Sequence, residues 1–130
     1  VARRVDAVGP GPGFFEQRNT GAANFSGAWS IRLMGAQGHH TDHIHPMGWI
    51  SSAFYVSVPD DVADETGKPG WIKFGEPGVA TAIPLAAERF VRPRPGRLVM
   101  FPSYMWHGTV PYESPAERMT VAFDAVPRVG

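Results

Sequence analysis

The chain has 130 residues, with 12 Lys and Arg, 12 Asp and Glu and a formal net charge of zero. That length suits one domain, and a hydrophobic fraction of 43% against 18% charged residues excludes intrinsic disorder. A neutral chain without a basic run is no phosphate-neutralising nucleic-acid binder, no apolar stretch approaches the roughly 18 residues of a membrane helix, and the lack of cysteine removes disulfides and thiolate metal sites.

Residues 1–26 read as an irregular arm, because Gly9-Pro10-Gly11-Pro12-Gly13 fits neither a helix interior nor a central strand. Val1-Ala2-Arg3-Arg4 is not followed by an apolar run, so no secretory leader is read and a cytoplasmic location is expected. Residues 27–130 alternate short apolar runs with Gly- and Pro-rich punctuation, the pattern of an all-β domain. Eight strands are predicted, over 28–34, 40–45, 50–58, 71–75, 89–92, 97–102, 106–111 and 118–126. The stretches 59–70 and 76–85 read as exposed loops. Pro95-Gly96 reads as a turn into the sixth strand. Eight short strands in about 100 residues predict a jelly roll, whose double sheet limits exposed edges. An immunoglobulin-type sandwich competes, but leaves the histidines unexplained.

Four of the 5 histidines fall within seven positions: His39, His40, His43 and His45. His107 stands about 60 residues on. Side chains of a strand alternate faces, so His43 and His45 share one face while His40 and Asp42 share the other. Without a bulge, only one of these pairs points inward. Two ligands at i and i+2 plus a distant His occupy one side of a metal and leave the other side open. This is the arrangement of a non-haem Fe(II) facial site, which usually has two His and one carboxylate. A surface His-rich turn is the plainer reading of the cluster alone.

The segment Arg118-Met119-Thr120-Val121-Ala122-Phe123-Asp124 alternates cleanly. Arg118 shares a face with Thr120, Ala122 and Asp124. A guanidinium fork beside a hydroxyl near a metal makes a carboxylate clamp; the competing role for Arg118 is an ion pair with Glu113 or Glu117. An inward Arg118 turns Met119, Val121 and Phe123 outward. Leaving them in water is unfavourable by about 25 cal/mol per Å2 of apolar area. They are therefore expected to be covered by the 1–26 arm, by a second copy in a homo-oligomer or by a neighbouring domain. Trp49, Trp71 and Trp106 are expected in packing roles, Arg32 in a surface ion pair, and Met105 on the His107 face.

The ordered set His43-Ile44-His45-Pro46, Trp49-Ile50-Ser51-Ser52-Ala53-Phe54-Tyr55-Val56, Gly70-Trp71-Ile72-Lys73-Phe74-Gly75-Glu76-Pro77, Pro95-Gly96-Arg97-Leu98-Val99-Met100-Phe101-Pro102-Ser103, His107 and Arg118-Met119-Thr120 is familiar. It resembles the 2-oxoglutarate/Fe(II)-dependent oxygenases of the prolyl-hydroxylase-like superfamily, in a bacterial branch often attached to tetratricopeptide repeats. The resemblance covers roughly residues 28–127. It implies a double-stranded β-helix, a cupin-like jelly roll. It also implies Fe(II) held by His43, His45 and His107, and 2-oxoglutarate clamped by Arg118, with Thr120 and Tyr55 adding hydrogen bonds. The implied reaction is O2-dependent oxidative decarboxylation of 2-oxoglutarate to succinate and CO2, coupled to hydroxylation of an unidentified substrate. Most relatives place an acid where His45 stands. The alternative His-x-Asp reading uses His40-Thr41-Asp42. Two rival functions remain beside the oxygenase: a cupin-like three-His metalloenzyme without 2-oxoglutarate, and a non-catalytic jelly-roll binding domain.

Overall fold

The computed structural model describes residues 18–34 and 39–128. Most of the expected arm lies outside that range, and its last four positions belong to the first strand rather than to an irregular segment. Among the described residues there are seven strands: β1 (Ala23–Leu33), β2 (Ile50–Ser57), β3 (Ile72–Phe74), β4 (Arg89–Val91), β5 (Leu98–Pro102), β6 (His107–Thr109) and β7 (Arg118–Pro127). They form a four-stranded sheet in the order β1-β7-β2-β5 and a three-stranded sheet in the order β4-β3-β6. Every pairing is antiparallel. This is the all-β, cupin-like jelly roll expected from the punctuation.

The strand predicted over 40–45 is a correction. Only His43 pairs, in an isolated bridge to His107. The His43 N–H donates to the His107 carbonyl at 2.9 Å and the return bond is 3.0 Å, while the Thr109 N–H donates to the His40 carbonyl at 2.9 Å. The segment thus lies along β6 and then leaves it. The His45 N–H donates instead to the Ser103 carbonyl at 2.8 Å, and Pro46 and Met47 turn the chain into β2. Pro46 cannot donate to a ladder, which stops any strand there. The strand predicted over 106–111 is likewise shorter, because Pro111 follows β6 closely.

The 59–70 loop contains one 3-10 turn, Asp60–Ala63. The turn into β5 matches its expectation: the Arg97 N–H donates to the Arg94 carbonyl at 3.0 Å, and Gly96 has φ +79°. That is the left-handed position a Pro-Gly type II turn requires of its third residue.

Two apolar clusters support the sheets. Trp49, Ile50 and Ala125 pack at one end of the large sheet, joined by Ala23 and Met100. Ile72, Phe74 and Phe101 pack between the sheets, with Val91, Val99 and Met105 around them. Each fully buried large side chain is worth about 1.5–3 kcal/mol. Met105, half-buried, packs against the same Phe74 and Phe101 rings that the His107 ring meets. On β7, Arg118, Thr120 and Ala122 are buried while Met119, Val121 and Phe123 are half-buried. Phe25 covers Phe123 edge-on, with ring centroids 5.0 Å apart. No helix among the described residues is long and apolar enough to cross a membrane.

Candidate functional site

The space between the sheets is open at one end, and His40, His43, His45, His107, Arg118 and Thr120 all line that opening. The rings of His43 and His107 stand 4.3 Å apart by centroid, and His45 lies 5.1 Å from His43 and 5.2 Å from His107. The cross-strand bridge between His43 and His107 sets the first distance, and the i, i+2 relation sets the second. One ligand atom from each of the three lies within 4.8 Å of the others, a grouping able to hold a metal ion.

Their hydrogen bonds fix which nitrogens are free. The His43 Nδ1–H donates to the Thr41 carbonyl at 2.7 Å, and the His107 Nδ1–H to the Met105 carbonyl at 2.9 Å. The His45 Nδ1–H donates to Asp124 Oδ2 at 2.6 Å. A carbonyl or carboxylate only accepts, so each proton sits on Nδ1 and each neutral ring keeps its Nε2 lone pair. The Nε2 atoms of His43 and His45 face each other across 3.1 Å. Two imidazoles bound at about 2.1 Å to one metal stand about 3.0 Å apart when their bonds meet at a right angle. The donor set therefore fits a small divalent cation.

His107 is packed against Phe101, with centroids 4.5 Å apart. Burial, reinforced by the neighbouring imidazoles and opposed by the Met105 carbonyl, holds its pKa down at about 4. It stays neutral and available as a ligand through the physiological range. His40 is also held below its ordinary value, chiefly by burial and next by Arg118. It lines the opening without joining the three-ring group. Asp42 faces the other way: Lys73 Nζ donates to its Oδ2 at 2.9 Å. The geometry gathers His43, His45 and His107 and leaves His40 and Asp42 outside.

Arg118 is only 3% exposed. Its Nη1 donates to Thr109 Oγ1 at 3.2 Å, and its Cζ lies 5.3 Å from the centroid of the Tyr55 ring. Among the described residues no carboxylate pairs with it, since Glu117 is taken by Arg32 at 2.9 Å. The Arg118 Nε and the Tyr55 hydroxyl are buried without a well-formed hydrogen bond. Burial pushes the Tyr55 hydroxyl pKa up, against the pull of Arg118. A buried cation beside orphaned donors is costly unless an anion arrives. Thr120, buried on the same face, adds a hydroxyl.

Sequence reasoning missed Trp29 at the opening and the role of Asp124 behind His45. Trp29 lines the opening, with its ring 6.3 Å from that of His45; the register Trp29↔Ala122 places it beside the inward face of β7. Asp124 shares the face of Arg118 by alternation, so that signal was present, but its pairing with His45 spans 79 positions and no local pattern announces it.

Residues 27–124 match the family described as "Putative 2OG-Fe(II) oxygenase". The chain belongs to this oxygenase family. A crystal structure of an oxidoreductase of the 2OG-Fe(II) oxygenase family from Burkholderia pseudomallei superposes with a TM-score of 0.58 at 12% identity, over 83% of this chain and 45% of that one. The likeness shows a shared fold, and this chain spans under half the length of that relative. No curated protein matches the sequence. Membership of the oxygenase family implies Fe(II) and 2-oxoglutarate as the groups used, with O2 as co-reactant.

Proposed function

We propose that this oxygenase is a 2-oxoglutarate-dependent dioxygenase that hydroxylates a C–H bond of its substrate. His43, His45 and His107 hold Fe(II) through Nε2, and Arg118 receives the far carboxylate of 2-oxoglutarate. Thr120 and Tyr55 offer hydroxyls to that carboxylate. The observation that carries the reading is the buried guanidinium of Arg118, which no carboxylate among the described residues pairs, lining the same space as the three imidazoles. When bound, the iron supplies O2 activation coupled to conversion of 2-oxoglutarate to succinate and CO2. The chain's part is placement. The carbonyls of Thr41 and Met105 and the Asp124 carboxylate hold the three rings in one tautomer, Phe101 packs against the His107 ring, and Arg118 orients the cosubstrate.

The all-imidazole donor set also favours a second reading, a cupin-like three-His metalloenzyme that does not use 2-oxoglutarate. One experiment separates the two. Under anaerobic conditions, Fe(II) plus 2-oxoglutarate is added to wild type and to His107→Ala, and visible absorption is recorded. A weak charge-transfer band in wild type alone supports the dioxygenase. Fe(II) binding to wild type with no band on adding 2-oxoglutarate refutes it in favour of the second reading.

A further inference from the structure

We propose that Asp124 is the carboxylate of this metal centre, acting through His45 instead of ligating the metal. The inference rests on the reading above that the three histidines hold a divalent cation. Three neutral imidazole donors bring no charge of their own to such a cation. Asp124 Oδ2 stands 2.6 Å from His45 Nδ1, and the side chains are 15% and 23% exposed. A carboxylate on the far nitrogen of a ligating ring fixes its tautomer and raises the basicity of the nitrogen that binds. The negative charge absent from the first ring of donors is restored one bond further out.

The fold builds this contact from several sides. Asp124 lies on β7 opposite Ser51 of β2 and Gly27 of β1. A β-bulge between Phe25 and Gly27 falls beside it, and bulges next to sites re-aim side chains. The Ser51 hydroxyl sits 3.2 Å from His45 Nδ1 and 2.8 Å from the Ser103 hydroxyl, so the ring is held by more than the carboxylate. The second carboxylate oxygen of Asp124, Oδ1, is buried without a hydrogen-bond partner. Among the described residues, His45 is the one basic side chain that pairs with Asp124. A carboxylate kept solely to brace the sandwich would be expected to satisfy both oxygens; this one spends its single contact on a metal-facing imidazole.

Asp124 is thus a positioning residue, and two variants divide its roles. Asp124→Asn keeps an oxygen to accept the Nδ1–H but loses the charge, whereas Asp124→Ala loses both. Mn(II) affinity is measured anaerobically by calorimetry on the full chain. The imidazole tautomers of the metal-free protein are read from long-range proton–nitrogen NMR of 15N-histidine. The expected result is wild-type binding of Mn(II), an Nδ1–H tautomer at His45 in wild type and Asp124→Asn, and loss of that tautomer in Asp124→Ala. Mn(II) affinity should fall about 10-fold in Asp124→Asn and up to about 100-fold in Asp124→Ala. Wild-type affinity in Asp124→Asn overturns the inference while leaving the three-histidine site standing. Failure of wild type itself to bind Mn(II) sinks the underlying site.

Discussion

Replacing Arg118 by Met separates the two roles open to a buried guanidinium. Without ligand, Arg118 is held by one hydrogen bond to Thr109 at 3.2 Å and by the face of Tyr55 at 5.3 Å. The first contributes about 1 kcal/mol and the second about 2 kcal/mol for a desolvated contact. Against them stands a desolvation penalty of several kcal/mol for a buried cation that no carboxylate among the described residues pairs. Met keeps the apolar stem and removes the charge. The ligand-free Arg118→Met protein is therefore expected to be more stable than wild type by about 1–2 kcal/mol, a rise in Tm of about 3–6 °C for a chain of this size. The liganded comparison has the opposite sign. At 2-oxoglutarate concentrations 100 times Kd, with Mn(II) replacing Fe(II) to prevent turnover, wild type gains about 2.7 kcal/mol and the variant gains nothing. Scanning calorimetry with and without cosubstrate reads both. A variant that melts below wild type when ligand-free, yet keeps the 2-oxoglutarate shift, would refute the reasoning. Arg118 would then be a brace for the sandwich.

The remaining expectations concern the ligand segment. His107 has its pKa held down at about 4 in the folded chain against 6.5 when unfolded; the unfolded chain binds the extra proton between those values, so metal-free stability is full above pH 6.5 and falls as pH drops toward 4. This one residue accounts for about 3 kcal/mol of that loss; urea midpoints across the range should show the slope, and His107→Ala should flatten it, an unchanged slope counting against the assignment. A methyl at Gly108 would stand 2.4 Å from Asp42 Oδ1 and 3.1 Å from the His40 carbonyl. Gly108→Ala should push the 40–43 segment off β6, cost about 1–3 kcal/mol and weaken Mn(II) binding at least about 10-fold by calorimetry, with the strand signal of the large sheet retained in far-ultraviolet circular dichroism.

Much of the fold was legible because β-strand periodicity and turn chemistry are local. The alternation in β7 assigns Arg118 and Thr120 to one face and Met119, Val121 and Phe123 to the other, and the burial pattern follows that division. Pro95-Gly96 announces its turn through the φ values each residue accepts. The 40–45 segment misled because period-2 reasoning treats His-x-x-His-x-His as a strand. The segment pairs at His43 alone, then turns at Pro46. The strand boundary near 26 was misplaced because the arm read from Gly9-Pro10-Gly11-Pro12-Gly13 was carried too far: β1 starts at Ala23 and continues past a bulge between Phe25 and Gly27.

The amino-acid order by itself determined the all-β architecture and the common face of Arg118, Thr120 and Ala122 on the last strand, since each depends on neighbours a few positions apart. Only the tertiary structure decided which histidines converge. It brought His43 against His107 across a β-bridge, turned Asp42 to Lys73, and set Asp124 on the far nitrogen of His45. Alternation states which side chains share a face but not which face looks inward, and contacts spanning tens of residues come from sheet pairing, which no short stretch of sequence encodes.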